Sequence, residues 1–330
     1  MKPKALFVML ILWLSFTTIQ ARSTEDVPDK GTYAKFLLVG CYMKPDEEGV
    51  RMYRFDGQTA DVDYPCGLRG ISNPAFLTSD STGNRIYAIG DDEGKSSTAN
   101  ALLFDKESGL LSLLNSQSTD GELPIYITLS PKEYFVLTAN YKGGSITVFS
   151  QDKKGKLQRD TKIIRFAGNG PNKKRQEQSH LHCVTFTPDG KFLLATDLGT
   201  DCIYLFPIGK RPEAGKAHSL LDESRVVRIQ MDSGSGPRHI CFHPNGRFAY
   251  LISELSGKIT VFSYNEGKLE RLQTIVCDPF VAEGNADIHV SSDGKFLYAS
   301  KHLKEDGIIV YSIDSVSYTH LRAHETCADL

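Results

Sequence analysis

Thr187-Pro-Asp-Gly-Lys-Phe-Leu-Leu-Ala195 is the stretch of sequence that decides the fold. It begins with turn-forming residues, continues with a basic residue and ends in an apolar run that suits a buried strand. The phrase recurs, with substitutions of the same character, at four other places: Ser81–Ile89, Ser130–Ala139, His243–Leu251 and Ser291–Ala299. Aligned on the position of Phe192, the five copies are 50, 57, 56 and 48 residues apart. The chain is therefore built from a repeat.

A second strand-like phrase follows each of the later copies, as Gly144–Phe149, Asp201–Phe206, Gly257–Phe262 and Gly307–Tyr311. Two such strands joined by a short turn are typical of a β-hairpin. Short strands, frequent turn signals and a period near 50 residues predict an all-β fold, a β-propeller of four-stranded blades. At about 53 residues per repeat, residues 33–314 hold between five and six blades. A β-sandwich or a two-domain β protein is the alternative.

The charge of the chain limits the partners that it can bind. Lys and Arg together number 38 and Asp and Glu 40, which gives a formal net charge of −2 over 330 residues. Such a near-neutral balance provides no overall electrostatic basis for binding nucleic acid or an anionic membrane surface, and we expect neither as a partner. The composition also excludes a disordered chain, a coiled coil and a multi-span membrane protein.

The N-terminal segment differs from the repeat region. Residues 1–21 contain Lys2 and Lys4, then an apolar run from Ala5 to Phe16, and they end in the small residue Ala21. This order predicts a secretory signal peptide, followed by a linker over residues 22–32. We therefore expect an exported protein, periplasmic or extracellular, with no membrane contact after cleavage. An uncleaved anchor helix is the alternative.

The C-terminal segment, residues 316–330, continues no pattern from upstream. It resembles the translation of a sequencing-library adapter, and we expect it to be a read-through artefact. A genuine tail that matches by chance is the alternative. On this interpretation the propeller domain spans residues 33–315, and the natural protein had a further blade that would complete a ring of seven.

Six cysteines lie outside the two terminal segments: Cys41, Cys66, Cys183, Cys202, Cys241 and Cys277. Most of them occur in apolar, strand-like runs at wide spacing, where small buried thiols are common. An even number in an exported protein permits disulfides, but the spacing favours mostly free, buried thiols. No Cys-x-x-Cys motif is present, so a zinc ribbon or a thioredoxin-type site has no support.

Polar clusters beside the strands are the candidates for a functional site, because loops on one face of a propeller converge on its central channel. His180 and His182 precede a strand, and strand alternation would place both on the same side. Thr196–Asp201 forms a tight turn with two carboxylates. The remaining clusters are Ala139–Gly144, Gly234–His239, Ser253–Leu255 and Ser300–His302.

These clusters carry a resemblance to a known family. Over nearly all of residues 35–314 the chain resembles the lactonase family of seven-bladed β-propellers, which includes 6-phosphogluconolactonases and carboxymuconate cyclases. The motifs that support this resemblance, in chain order, are Leu38–Tyr42, Ala139–Ser145, Arg175-Gln176 ahead of Ser179–His182, Asp197–Asp201, Gly234–His239 and Ser253–Leu255. Together and in this order they are specific, whereas each alone is weak.

The resemblance implies catalytic roles for a histidine of the His-x-His pair, for Arg238 and for Glu254. A fourth family position, usually arginine, corresponds to Lys301, where lysine keeps the charge but lacks the two-pronged guanidinium. We therefore expect His182, Arg238, Glu254 and Lys301 to be catalytic. The residues expected to bind substrate are Asn140, Arg175, Gln176, His180, Asp197, Asp201 and His239.

The chemistry that follows is hydrolysis of a sugar-acid lactone, as in a 6-phosphogluconolactonase, without a metal or another cofactor. Such a reaction needs a base that deprotonates water and a cation that holds the tetrahedral oxyanion. Glu254 or His182 would be the base, with the other orienting it. Arg238, together with Lys301, would stabilise the oxyanion or bind the acidic group of the substrate.

Three alternatives come from other classes of function. The first is an exported propeller without catalytic activity that binds a protein or a glycan, since fold alone does not determine function. The second is a lactonising enzyme that acts on a muconate-type acid. The third is a metal site built from His180, His182, Asp197 and His239.

Overall fold

The repeated turn phrase forms the same hairpin turn in each of its five copies. In the copy that begins at Thr187, the backbone N–H of Thr187 donates to the carbonyl oxygen of Phe192 over 3.0 Å. The Thr187 hydroxyl and the Asp189 carboxylate accept from the backbone of the residues that follow, so the turn residues stabilise the turn themselves. The residue two positions before the one aligned with Phe192 has a positive φ in every copy, namely Gly83, Glu133, Gly190, Gly246 and Gly294.

The computed structural model describes residues 9–10, 34–57, 59–210, 212–277, 284–302, 307–314, 318 and 321–328. Twenty-four strands lie in these ranges, and neighbours in sequence pair in antiparallel fashion to give six four-stranded sheets arranged in a ring. Blade 1 consists of β1 (Met9–Leu10), β2 (Ala34–Gly40), β3 (Val50–Asp56) and β4 (Val62–Leu68). Blade 2 consists of β5 (Leu77–Ser79), β6 (Arg85–Asp91), β7 (Ser97–Asp105) and β8 (Leu110–Ser118).

The four later blades repeat this pattern. Blade 3 consists of β9 (Pro124–Leu129), β10 (Phe135–Asn140), β11 (Ser145–Gln151) and β12 (Leu157–Arg165). Blade 4 consists of β13 (Leu181–Phe186), β14 (Phe192–Asp197), β15 (Cys202–Pro207) and β16 (Val227–Gln230). Blade 5 consists of β17 (Pro237–Phe242), β18 (Phe248–Ser253), β19 (Lys258–Asn265) and β20 (Lys268–Val276). Blade 6 consists of β21 (Asn285–Val290), β22 (Phe296–Lys301), β23 (Gly307–Ile313) and β24 (Leu321–Ala328).

The middle strands of blades 2 to 5 are mostly buried on both faces because the neighbouring blades pack against them, whereas β22 of blade 6 alternates between exposed and buried residues. All residues of β10 and of β11 are buried, whereas the outermost strands, such as β20, alternate between intermediate and exposed positions. The apolar side chains form five clusters, one between each pair of successive blades. The core is therefore distributed around the ring, and each blade is stabilised by the faces of its neighbours.

The structure confirms the prediction of an all-β propeller with four-stranded blades, six of which lie in the described residues. The only helical segments there are two short 3-10 helices, Ala217–Ser219 and Glu223–Arg225. Of the predicted signal peptide, Met9–Leu10 pairs with β2 and the rest lies outside the described residues. Part of the predicted adapter segment forms β24, the outermost strand of blade 6. The origins of both segments stay predictions.

A substitution at the turn tests whether the left-handed position stabilises the fold. Gly190 has a φ of +64°, and an added Cβ would lie 3.4 Å from Pro131, so a larger side chain has room. We expect Gly190→Ala to lower the free energy of unfolding by about 1 kcal/mol, because a Cβ disfavours this backbone conformation. Gly190→Asn is the matched control and should cost less, since Asn tolerates the left-handed region. Urea unfolding measures both, and equal losses would contradict the prediction.

Candidate active site

The candidate residues gather where the innermost strands begin and the second strands end, which is one face of the ring. β13, β17 and β21 begin there, and β14, β18 and β22 end there, because each pair is an antiparallel hairpin. His182 and Arg238 are the second residues of their strands, and Glu254 directly follows β18. Lys301 is the last residue of β22. The hairpin topology therefore places all four expected catalytic residues on one face.

Each of these innermost strands has a β-bulge at its beginning. Leu181 pairs with Asp197 and Cys183 with Thr196, so His182 has no opposite residue in the ladder. Arg238 lies in the corresponding position of blade 5, between the paired residues Pro237 and His239. In blade 6 the irregularity covers the two residues after Asn285. Bulges are frequent next to active sites because they re-aim a side chain.

Glu254 is the centre of the cluster. Its carboxylate accepts from Arg175 Nη2 over 2.5 Å and from Arg238 Nε over 3.1 Å, and His182 Nε2 lies 3.8 Å from it. The Glu254 side chain is only 5% exposed, so the two guanidinium groups compensate a charge that would be costly to bury alone. Arg175 comes from the connection between blades 3 and 4, and the contact therefore joins three parts of the ring.

Arg238 is held by several acceptors. Besides the bond to Glu254, its Nη1 donates to the carbonyl oxygen of Ala286 and lies 3.4 Å from His239 Nε2. Within the part of the chain that the structure describes, Nη2 has no protein acceptor. Since the side chain is 14% exposed, this amino group can donate to a ligand.

His182 is buried among these charges. Burial lowers the pKa of His182 well below its usual value, and the charges of Arg238, His239 and Arg175 act in the same direction. Its Nδ1 is buried and has no hydrogen-bond partner among the described residues. The rings of His182 and His239 meet edge to face with centroids 5.0 Å apart. At neutral pH His182 is therefore an uncharged imidazole.

His180 lies beside the cluster, with both ring nitrogens in contact with oxygen atoms. Nδ1 is 3.1 Å from the carbonyl oxygen of Tyr141, and Nε2 is 3.1 Å from the carboxylate of Glu177. The ring also stacks on Tyr141, with centroids 4.3 Å apart. Tyr141 makes a 3.5 Å contact to Arg175 as well, so it links His180 to the arginine that contacts Glu254.

Asp197 forms hydrogen bonds with the backbone of the adjacent loop. Its carboxylate accepts from the backbone N–H groups of His180 and Gly199 and from the hydroxyls of Ser179 and Thr200. Gly199 is required at this approach, because an added Cβ would lie 1.8 Å from the Gln178 carbonyl oxygen. These contacts determine where His180 and the start of β13 lie.

Asp201 and Gln176 connect two loops in a similar way. Asp201 accepts from the backbone N–H groups of Gly234 and Gly236 and from the side-chain amide of Gln176. Gln176 also donates to the carbonyl oxygen of Leu198 and is fully buried. The loop that carries Arg175 is thereby joined to the loop that leads to Arg238.

Asn140 and Lys301 are buried at the ends of their second strands. The Asn140 amide donates to the hydroxyls of Ser145 and Thr147 within blade 3. Lys301 is 7% exposed and pairs in the sheet with Asn285, the residue before Ala286, whose carbonyl accepts from Arg238.

The structure adds Asp287, which the sequence analysis did not select. Its carboxylate lies 2.7 Å from His239 Nδ1 and 3.0 Å from His289 Nε2. Burial opposes ionisation of Asp287, but the two histidines outweigh that effect and hold its pKa well below the usual value. An Asp-x-His pair near the start of a strand is the signal that could have indicated it.

No group of three or more His, Cys, Asp or Glu side chains in the described residues is arranged to hold a metal ion. Within the same residues, no helix has the length and apolar character needed to cross a membrane.

The buried histidines predict how stability depends on pH. Below pH about 6.5 the histidines of the unfolded chain bind protons. In the folded protein His182 and His239 stay unprotonated there, because their pKa values are lowered. These two histidines should therefore lower the free energy of unfolding as the pH decreases from 7 to 5, by up to about 1.4 kcal/mol per pH unit each. His289, whose pKa is raised by the Asp287 carboxylate despite burial, contributes in the opposite direction. His182→Gln should flatten this dependence, and His218→Gln, at an exposed histidine, is the control. Equal pH profiles for wild type and His182→Gln would contradict the assignment.

Comparisons with known proteins identify the family of the chain. The family model described as Lactonase, 7-bladed beta-propeller matches residues 36–328. The 6-phosphogluconolactonase of Bacillus subtilis is 33% identical over 287 residues, which cover 84% of this chain and 78% of that protein. A Bacteroides fragilis structure whose name suggests a 6-phosphogluconolactonase is 38% identical, with a TM-score of 0.85 over 92% of this chain and 84% of its own. The periplasmic gluconolactonase of Pseudomonas aeruginosa is 29% identical, with a TM-score of 0.78 over 89% and 83%. The chain belongs to the lactonase family of seven-bladed β-propellers.

Proposed function

We propose that this protein hydrolyses a sugar-acid lactone at the cluster around Glu254. The observation that carries the proposal is the setting of Arg238. Protein acceptors hold its Nε and Nη1 atoms, and Nη2 remains available beside the uncharged imidazole of His182. A positioned cation beside a neutral base is what opening of a lactone requires. The names of the Bacillus and Pseudomonas relatives support the same class of reaction.

In the proposed reaction His182 is the base. It takes a proton from a water molecule whose oxygen attacks the lactone carbonyl, and the carbonyl oxygen becomes an oxyanion that accepts from Arg238 Nη2. The ring C–O bond then breaks, and the proton on His182 passes to the ring oxygen, which becomes a hydroxyl. The product is the open aldonic acid, and His182 returns to its neutral form.

Glu254 has a supporting role in this scheme. A guanidinium group donates to each of its two carboxylate oxygens, so its negative charge is already engaged with two cations. Its negative charge, 3.8 Å from His182 Nε2, stabilises the imidazolium that forms in the transition state. Of the two candidate bases that the sequence left open, the geometry favours His182.

Arg175 and Lys301 are proposed to recognise an acidic group of the substrate. Arg175 is the more accessible of the two arginines at Glu254, with 38% of its side chain exposed, and Lys301 supplies a second cation at the same end of the ring. A 6-phosphoryl group would complement their positive charges, and the name of the Bacillus relative supports such a substrate. The name of the Pseudomonas relative, together with the predicted signal peptide, supports export and an unphosphorylated sugar lactone.

The removal of Arg238 tests the proposal. We expect purified wild type to open 6-phosphogluconolactone or gluconolactone faster than buffer, and Arg238→Ala to lower kcat by about 10²–10³-fold, because one oxyanion donor is lost. Arg271→Ala is the matched control, since Arg271 of blade 5 also pairs with a carboxylate, that of Asp232, but lies on the outer strand. Acid release at constant pH measures all three proteins, and the preferred lactone identifies the substrate. A folded wild type that only matched the buffer rate with both lactones would contradict the proposal.

The protonation of His182 gives a second test. Because the base must be neutral and burial lowers its pKa, the acid limb of kcat/KM should lie below pH 6.5, the usual range of histidine. His182→Gln should lower kcat by about 10²–10⁴-fold, which is the contribution of a general base. Net rates after subtraction of spontaneous hydrolysis provide both values. An acid limb at or above pH 6.5, or full activity in His182→Gln, would exclude His182 as the base.

A further inference from the structure

Asp287 lies behind the candidate active site, in the bulge of β21. Its Oδ1 accepts from the backbone N–H of Ile288 over 2.8 Å and lies 2.7 Å from His239 Nδ1, while Oδ2 lies 3.0 Å from His289 Nε2. The Asp287 backbone N–H donates to the Ser300 hydroxyl on the neighbouring strand. Both the carboxylate and the backbone of this residue are therefore fixed, although it makes no contact with His182 or Glu254 in the described structure.

The two neighbours of His239 determine which of its nitrogens carries the proton. The Asp287 carboxylate only accepts, so Nδ1 must be the donor in that contact. Arg238 Nη1 only donates, so His239 Nε2, which lies 3.4 Å away, must be unprotonated and direct its lone pair at Nη1. Burial and the charge of Arg238 lower the pKa of His239, which agrees with a neutral ring. His239 is therefore the Nδ1–H tautomer.

We propose that Asp287 is a positioning residue for Arg238. Asp287 holds His239 as the Nδ1–H tautomer, so that His239 Nε2 accepts from Arg238 Nη1 and Arg238 Nη2 faces the substrate. This inference rests on the proposed lactonase function, because it assigns a role to Nη2 in that reaction. It adds a residue and a tautomer to the site, and it needs no contact between Asp287 and substrate.

The structure shows why this support matters for Arg238. Glu254 holds only the Nε edge of the guanidinium, and rotation about the side chain is restrained at Nη1 by two acceptors. One of them, the Ala286 carbonyl, belongs to the residue before Asp287, and the other, His239 Nε2, is set by the Asp287 carboxylate. The bulged segment therefore orients both acceptors of the guanidinium, through the backbone carbonyl of Ala286 and through the side chain of Asp287.

The test compares Asp287→Asn with Asp287→Ala. In Asp287→Asn the amide oxygen keeps the Oδ1 position, because the Ile288 N–H donates there, and it can still accept from His239 Nδ1. Asp287→Ala removes that acceptor. We expect Asp287→Ala to lower kcat by about tenfold or more with KM within about twofold, and Asp287→Asn to retain kcat within about threefold. Asp293→Ala, which removes a carboxylate from a turn of the same blade, is the control and should match wild type.

A spectroscopic measurement separates this inference from the proposed activity. Long-range ¹H–¹⁵N spectra of the histidine rings, with His239 assigned through His239→Gln, should show the Nδ1–H tautomer in wild type and in Asp287→Asn. In Asp287→Ala they should show a mixture of tautomers. If wild type opens no lactone, the proposed function fails, and the spectra alone decide the role of Asp287.

Two results would overturn the inference. One is a folded Asp287→Ala variant with wild-type kcat and an unchanged His239 tautomer. The other is an equal loss of kcat in Asp287→Asn and Asp287→Ala, which would mean that the charge and not the acceptor matters. If Asp287→Ala does not fold, Asp287→Leu removes the same acceptor and keeps a side chain of similar shape, and the same expectations apply to it.

Discussion

The buried carboxylate of Glu254 is the contact on which the rest of this face depends. The Glu254 side chain is only 5% exposed, so its charge has lost most of its hydration. Such a charge is tolerated when opposite charges and hydrogen bonds replace the lost water, and here two guanidinium groups do so. Arg175 arrives from the connection between blades 3 and 4, whereas Arg238 and Glu254 belong to blade 5. The carboxylate therefore holds a loop of one part of the ring against another, and it does so beside the imidazole of His182.

The loops that carry these charges are supported by carboxylates of a different kind. Asp197 and Asp201 direct their oxygens mainly at backbone N–H groups, which fixes the paths of the chain before β13 and before β17. Their charges are used within the loops and do not pair with Arg238 or Arg175. A ligand with an acidic group would thus meet donors that are already oriented, which reduces the cost of ordering them on binding.

The fold could be predicted from the sequence because each copy of the turn phrase carries its own turn chemistry. Even the copy with Glu133 in place of glycine has a φ of +56° at that position, so the repeat survives the substitution. The site was harder to predict, since Asp and Asn are equally suited to capping a turn and to binding a substrate. Sequence alone could not show that Asn140 and Asp197 direct their polar atoms into the protein. Asp287 was missed because its position depends on strand register, and a hydrophobic pattern does not reveal where a ladder skips a residue.

The register of the innermost strands explains how a repetitive ring acquires one site. In blade 3 the ladder skips Ile125, just as it skips His182 in blade 4 and Arg238 in blade 5. The bulge in blade 3 holds an apolar residue, so the backbone irregularity belongs to the blade and not to the chemistry. A residue in this position has no partner opposite it in the ladder, and its side chain can change without disturbing the pairing of the strand. The chemistry of this face therefore depends on which side chains occupy a bulge that the blades share, and His182 and Arg238 occupy it in adjacent blades.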